Sequence, residues 1–117
     1  MNGDHVTAYG LASEHCLKDL VSWNGNFGKV YFYQSEFPYD VTQENYGNHD
    51  YVSYRVSDKV TSHEAYGIGV YSYFADYDVT VKNAIKTPKN SNVKVTNAFT
   101  VFLNGKGAIN HIINDQG

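Results

Sequence analysis

The chain has 117 residues, with nine Lys and Arg residues against twelve Asp and Glu residues and a formal net charge of -3. This length allows one domain at most. The mildly acidic balance excludes the basic surface that binding to nucleic acid requires, and no apolar run is long enough to span a membrane. Because Cys16 is the only cysteine, the chain can form neither an internal disulfide nor a cysteine-based metal site.

The first third of the chain contains two predicted strands. Residues 6–13 and 29–35 are rich in small, β-branched and aromatic residues, which favours strands. Between them, the i, i+3, i+4 spacing of Leu17, Leu20 and Val21 predicts one or two helical turns.

The rest of the chain consists of a polar loop and a series of short strands. Residues 41–50 have no hydrophobic periodicity and contain a glycine, so we expect a loop there. Pro88 ends one of the later strands, because proline cannot donate a hydrogen bond to a ladder. Strands are predicted at residues 51–56, 67–74, 79–85, 93–95, 98–103 and 109–113.

The pattern is all-β, with corners rich in asparagine and glycine, and two architectures fit it. One is a parallel β-helix and the other is an antiparallel β-sandwich. Val6 and Val30 are separated by 24 positions, within the roughly 20–30 residues of one β-helix coil. No exact sequence repeat decides between the two architectures.

Two carboxylates stand at the ends of the first two strands. Glu14 and Glu36 are separated by 22 positions, so in a β-helix they would lie on neighbouring rungs about 4.8 Å apart. Two carboxyl groups in one cleft are what glycoside hydrolysis needs, one as a proton donor and the other to activate water or attack the sugar. The alternative is that both are solvated acids at strand ends.

Side-chain alternation constrains this pairing. Strict alternation places Glu36 on the same face as Val30 and Phe32, which would be the core face. A corner must therefore interrupt the strand if Glu36 is to reach solvent. The five histidines show no close metal-ligand spacing, so we expect neither a metal nor a cofactor.

Several segments resemble the C-terminal portion of pectate-lyase-like β-helix proteins, and in particular glycoside hydrolase family 55, the exo-β-1,3-glucanases. The resemblance extends over almost the whole chain. Its segments are GDHVTAYGLASEH (3–15), WNGN (23–26), VYFYQSEFPYD (30–40), HEAYGIGVYSYF (63–74), NAFTVFLNG (97–105) and INHIIND (109–115).

The resemblance implies a right-handed, pectin-lyase-like parallel β-helix and an inverting, metal-free hydrolase acting on laminarin-like β-1,3-glucan. It implies that Glu36 is the general acid and that Glu14 helps to place the water. Further candidates for contact with the polysaccharide are the aromatic residues, for which packing is the alternative role, and two neighbouring polar residues. These five residues are Trp23, Tyr33, Tyr39, Glu64 and His63.

The resemblance also carries expectations about the parent protein. Family members are long and secreted, whereas this sequence of 117 residues shows no signal peptide. We therefore expect residues 1–117 to form a single β-helix segment from the C-terminal end of a longer extracellular protein, with a missing N-terminal lobe as its partner. The competing function is a non-catalytic module that binds glycan or caps a β-helix, and whether the isolated chain is an active enzyme is left open.

Overall fold

The computed structural model describes residues 1–117 and contains eight β-strands and one short 3₁₀ turn, which confirms the all-β prediction. The strands are β1 (Thr7–Glu14), β2 (Val21–Trp23), β3 (Gly28–Glu36), β4 (Tyr54–Val56), β5 (His63–Ser72), β6 (Thr80–Lys86), β7 (Val93–Phe102) and β8 (Ala108–Ile113), and the 3₁₀ turn is Gly47–His49.

The strands form two parallel sheets, and successive strands alternate between them. Sheet A has the order β1-β3-β5-β7, and sheet B has the order β2-β4-β6-β8. Every ladder between these strands is parallel. The chain therefore winds as a parallel β-helix, and the antiparallel sandwich is excluded.

The coils of this β-helix differ in length. Ala8, Val30, Ala65 and Val95 stack in register, so the three successive steps are 22, 35 and 30 residues. The second step is longest because it contains the predicted loop at 41–50, which includes the 3₁₀ turn. These unequal steps explain why no repeat is visible in the sequence, and the 24-residue spacing from Val6 to Val30 is not the coil length.

The predicted helix around Leu17 is wrong. Residues 17–20 are irregular, with bends at 17, 18 and 20, and β2 follows at once, because its backbone pairs with β4. Leu20 is buried while Leu17 is 68% exposed, so their helical spacing does not define one apolar face. The two strands predicted at 93–95 and 98–103 are one kinked strand, β7.

A column of left-handed residues crosses sheet A. Gly10, Phe32, Gly67 and Asn97 occupy equivalent positions between paired neighbours, and their φ angles are 64°, 64°, 70° and 57°. Each residue bends its strand and resets the alternation of side chains. After Phe32, Tyr33 and Ser35 point into the core while Gln34 and Glu36 point outward. We call these four residues the kink column, and it is the corner that an outward Glu36 requires.

The core lies between the two sheets and includes a buried histidine. The largest buried side chains include Trp23, Tyr54 and Phe37. His63 is fully buried, with its Nε2 atom 2.8 Å from the Tyr54 hydroxyl and no hydrogen-bond partner for Nδ1. Burial disfavours the charged imidazolium and lowers the pKa of His63 to about 4.

The conformation of the kink column can be tested at Gly10. A Cβ atom there would meet no other atom within 4 Å, so only the left-handed backbone opposes an alanine. We expect Gly10→Ala to lower the free energy of unfolding by about 1 kcal/mol and Gly10→Asn to lower it less, as measured by urea denaturation. Equal stability of the alanine variant and the wild type would contradict this account.

The buried imidazole makes stability depend on pH. Because the pKa of His63 in the folded state is about 4, below the ordinary value of 6.5, the unfolded chain binds more protons between these two values. This contribution is fully present above pH 6.5 and is lost as pH falls toward 4. We expect a loss of about 2 kcal/mol between about pH 7 and about pH 5.

Urea denaturation at the two pH values would measure this loss. His63→Gln cannot titrate and should lose less stability than the wild type, whereas His49→Gln, at an exposed position, should behave like the wild type. An equal change in all three proteins would show that His63 is not responsible.

Candidate active site

Glu14 and Glu36 lie side by side at the ends of their strands on the outer face of sheet A. They are register partners in the β1-β3 ladder, so their backbones are one rung apart, about 4.8 Å. Glu14 is exposed and Glu36 is half-buried. The predicted placement of Glu14 and Glu36 on neighbouring rungs is confirmed, while their chemical roles remain a prediction.

Each of the two carboxylates has a polar side chain beside it. The Tyr39 hydroxyl donates a hydrogen bond to Glu36. Gln34, on the outer face of β3, places its Nε2 atom 3.5 Å from Oε1 of Glu14. The hydrogen bond to Glu36 is the main cause that raises the pKa of Tyr39 to about 12, with smaller contributions from burial and from the charges of Glu36 and Glu14.

Aromatic rings hold Tyr39 in place. His15 contacts one side of the Tyr39 ring edge-on at a centroid distance of 4.4 Å, and Tyr73 contacts it edge-on at 5.1 Å. The Tyr39 carbonyl accepts a hydrogen bond from the backbone of Ala75 at 2.9 Å. Sequence reasoning missed His15 and Tyr73. They belong to the rungs on either side of Tyr39. Because the coils differ in length, the sequence does not show that these residues are neighbours.

A groove runs along the outer face of sheet A beside the carboxylates, with a volume of about 540 Å³. Its floor is formed by Gly67 and Gly69, and aromatic rings stand over both glycines. A Cβ atom on Gly69 would lie 2.7 Å from Cζ of Phe99. Tyr71 lines the same groove and is the register partner of Glu36, so this end of the groove lies one rung from Glu36.

Three of the predicted substrate-binding residues lie in the core instead. Trp23, Tyr33 and His63 are 1%, 2% and 0% exposed, so none of them can stack on a sugar or reach one. For Tyr33, the kink column turns the side chain inward, where its hydroxyl lies 3.1 Å from the carbonyl and 3.0 Å from the hydroxyl of Ser53. The prediction of substrate contact is wrong for these three residues.

Glu64 lies on the outer face but away from the carboxylates. Its register partner is Lys29, at the opposite end of β3 from Glu36, and the Lys29 ammonium is 3.9 Å from the Glu64 carboxylate. The structure therefore does not bring Glu64 into the candidate site. Tyr39 is the only one of the five predicted contact residues that lies beside the two glutamates.

No three side chains of His, Cys, Asp or Glu converge to form a metal-binding cluster. The chain also contains no helix with the length and hydrophobicity of a membrane span.

Parallel coils, two four-stranded sheets and an outward-facing carboxylate pair define a pectate-lyase-like β-helix. Residues 1–36 match the family described as the LAM55 pectate lyase-like domain. The whole chain is 39% identical to an exo-β-1,3-glucanase of Streptomyces sp. (strain SirexAA-E / ActE) and covers 20% of that protein.

Solved structures give the same result. SacteLam55A from Streptomyces sp. SirexAA-E superimposes on 99% of this chain with a TM-score of 0.94 and 41% identity. A glutamate-to-alanine variant of sacteLam55A in complex with glucose superimposes with a TM-score of 0.95 and 40% identity. The chain spans 22% of each of these chains. The predicted resemblance to exo-β-1,3-glucanases is therefore confirmed.

The contact between Tyr39 and Glu36 can be measured through the phenol. Because the carboxylate stabilises the protonated phenol, Glu36→Gln should lower the pKa of Tyr39 from about 12 toward its ordinary value of 10. Glu14→Gln should lower it less, since the Glu14 charge contributes less. Tyrosine ¹³Cζ NMR would follow the titration, with the resonance assigned by Tyr39→Phe. A titration unchanged by Glu36→Gln would contradict the hydrogen bond.

Proposed function

We propose that this chain carries the catalytic carboxylates of an inverting glycoside hydrolase that acts on β-1,3-glucan. The observation that carries the proposal is the register pairing of Glu14 with Glu36 at the end of an aromatic-lined groove. The 39% identity to an exo-β-1,3-glucanase supports the choice of β-1,3-glucan as the substrate.

In the proposed reaction, Glu36 is the general acid. Its protonated carboxyl group gives its proton to the glycosidic oxygen as the bond from that oxygen to the anomeric carbon breaks. The Tyr39 hydroxyl, which contacts one carboxylate oxygen, fixes the orientation of the Glu36 side chain. Once the proton has been transferred, the same hydroxyl hydrogen-bonds to the resulting carboxylate.

Glu14 is the proposed general base. As a carboxylate, it removes a proton from a water molecule that attacks the anomeric carbon from the opposite side, which inverts the configuration. Gln34 hydrogen-bonds to Glu14 and limits the directions that its carboxylate can take. Inversion needs a separation of roughly 6.5–9.5 Å between the two carboxyl groups to accommodate the water, and outward side chains on neighbouring rungs can adopt it.

The candidate site lies on an open face of the β-helix, and Glu14 is exposed to solvent. In the proposed complex, this chain contacts the substrate on one side only. We propose that another lobe of a longer protein, comparable in length with the relatives, supplies the other side. Because part of the positioning would then be absent, the chain alone should bind glucan and release sugar slowly.

Product release from laminarin tests this function. We expect Glu36→Gln to reduce glucose release by at least about 100-fold, because proton donation to the leaving group is lost. Glu44→Gln, in an exposed part of the loop, is the matched control and should leave the rate unchanged. Chromatography would quantify the glucose, and ¹H NMR would identify α-glucose as the first anomer formed if configuration is inverted.

Titration of the same proteins with laminari-oligosaccharides distinguishes a hydrolase from a non-catalytic glycan-binding module. Binding by the wild type and by Glu36→Gln, with turnover by the wild type alone, would establish the hydrolase. Binding without turnover by either protein would identify a non-catalytic glycan-binding module. If the wild-type chain neither binds nor cleaves β-1,3-glucan, the proposed function is wrong.

A further inference from the structure

Phe32 occupies a position that suits its residue type poorly. It lies in the kink column with a φ angle of 64°, where the other three members are two glycines and an asparagine. These are the residue types that adopt left-handed backbone most readily, whereas a bulky side chain is strained there. The Phe32 side chain is also 74% exposed, so burial offsets little of this strain.

Phe27 provides an internal comparison. It is also left-handed, with a φ angle of 56°, and is 52% exposed. Its ring stacks on His5 at a centroid distance of 4.7 Å with nearly parallel planes, which accounts for an aromatic residue at that corner. Phe32 stacks on no other ring. It lies over a backbone glycine, since a Cβ atom on Gly67 would be 3.1 Å from Cδ1 of Phe32.

Strain that packing does not offset is characteristic of positions that contact ligands. Phe32 stands at one side of the groove, and Phe99, which is 44% exposed, stands over Gly69. Next to Phe99 in the groove lies Tyr71, and the two rings are edge-on with a centroid distance of 6.3 Å. Tyr71 is in turn the register partner of Glu36. The exposed rings of Phe32 and Phe99 and the half-buried ring of Tyr71 therefore line the groove from the kink column to the rung beside Glu36.

The dimensions and chemistry of the groove suit a sugar. Its volume of about 540 Å³ falls within the range of roughly 300–1,000 Å³ typical of small-molecule sites. Neither Gly67 nor Gly69 places a side chain in the groove, and the exposed amides of Gln34 and Asn97 at its border can hydrogen-bond to hydroxyl groups. Rings next to hydrogen-bonding amides match a pyranose, which has apolar faces and a polar rim.

We propose that Phe32 and Phe99 form the walls of a saccharide subsite. It holds the glucosyl unit of a β-1,3-glucan adjacent to the one being cleaved, with its apolar face against the Phe32 ring. This inference rests on the proposed function and extends it, because it assigns the groove beside the carboxylates to a second sugar unit. Selection for sugar contact then explains a strained, exposed phenylalanine where glycine would be more stable.

Replacing Phe32 by glycine separates stability from binding. Phe32→Gly removes the strain and the ring together, so its midpoint of urea unfolding should equal or exceed that of the wild type. Its affinity for laminari-oligosaccharides should fall about fivefold to tenfold, because one aromatic contact is lost. Phe32→Trp keeps an aromatic surface and should retain affinity, and Phe27→Gly, at the other corner, should bind like the wild type. Isothermal titration calorimetry would measure each affinity.

A second variant blocks the groove without altering the strained residue. Gly69→Val places a branched side chain on the floor, where even a Cβ atom would meet Phe99 at 2.7 Å. The Phe99 ring must then shift from its place over Gly69, and affinity should fall as in Phe32→Gly. The fall should occur although Glu14 and Glu36 are unchanged.

The outcomes distinguish the subsite from the proposed function. If the wild type binds and Phe32→Gly binds equally well, the subsite is wrong while the proposed function stands. If Phe32→Gly loses stability, the ring is a packing element and the subsite argument fails. If the wild type does not bind laminari-oligosaccharides, both proposals are wrong.

Discussion

The four left-handed residues of the kink column set the geometry on which the rest of sheet A depends. A strand without such a residue would keep one alternation along its length, and Glu36 would point into the core with Val30. One left-handed residue per strand costs little where it is Gly10 or Gly67. In the C-terminal half of each strand, after the kink, the side chains point to the opposite faces from those that unbroken alternation would give. The polar and charged residues after the kink reach solvent for this reason.

Parallel stacking of the strands then places the residues that follow each bend next to one another. Because the register is continuous, the residues that follow each kink lie directly above one another, and Glu14, Glu36 and Tyr71 form a single outward column. The inward positions of the same segment are occupied by Ser35 and its register partners Ser13 and Val70. The Ser35 hydroxyl lies 2.6 Å from that of Ser53, so the core side of the site is held by a satisfied polar contact.

The sequence predicted the strands and the carboxylate pair, because both depend on local composition and on one short spacing. The first coil is 22 residues long, which is also the separation of Glu14 and Glu36. The groove could not be predicted, since it needs Tyr71 and Phe99, and the unequal second and third coils hide their register. Tyr33 and Trp23 were misplaced because aromatic content does not reveal which face a ring occupies. The direction of Tyr33 depends on a left-handed phenylalanine, which no residue pattern indicates.

The loop that breaks the repeat is also what places Tyr39 beside Glu36. The chain leaves β3 through Phe37, which is 0% exposed, and the loop is anchored further on by Tyr46, which is 1% exposed. Gln43 holds the loop against sheet B by accepting a hydrogen bond from the Thr80 backbone at 2.7 Å.

Tyr39 therefore lies on a segment fixed at both ends, and its hydroxyl can be positioned with little residual freedom. The polar loop at 41–50 lengthens the second coil and so hides the repeat in the sequence. The same loop anchors the segment that carries Tyr39, and a rigidly held Tyr39 is what keeps the Glu36 carboxyl group in one orientation.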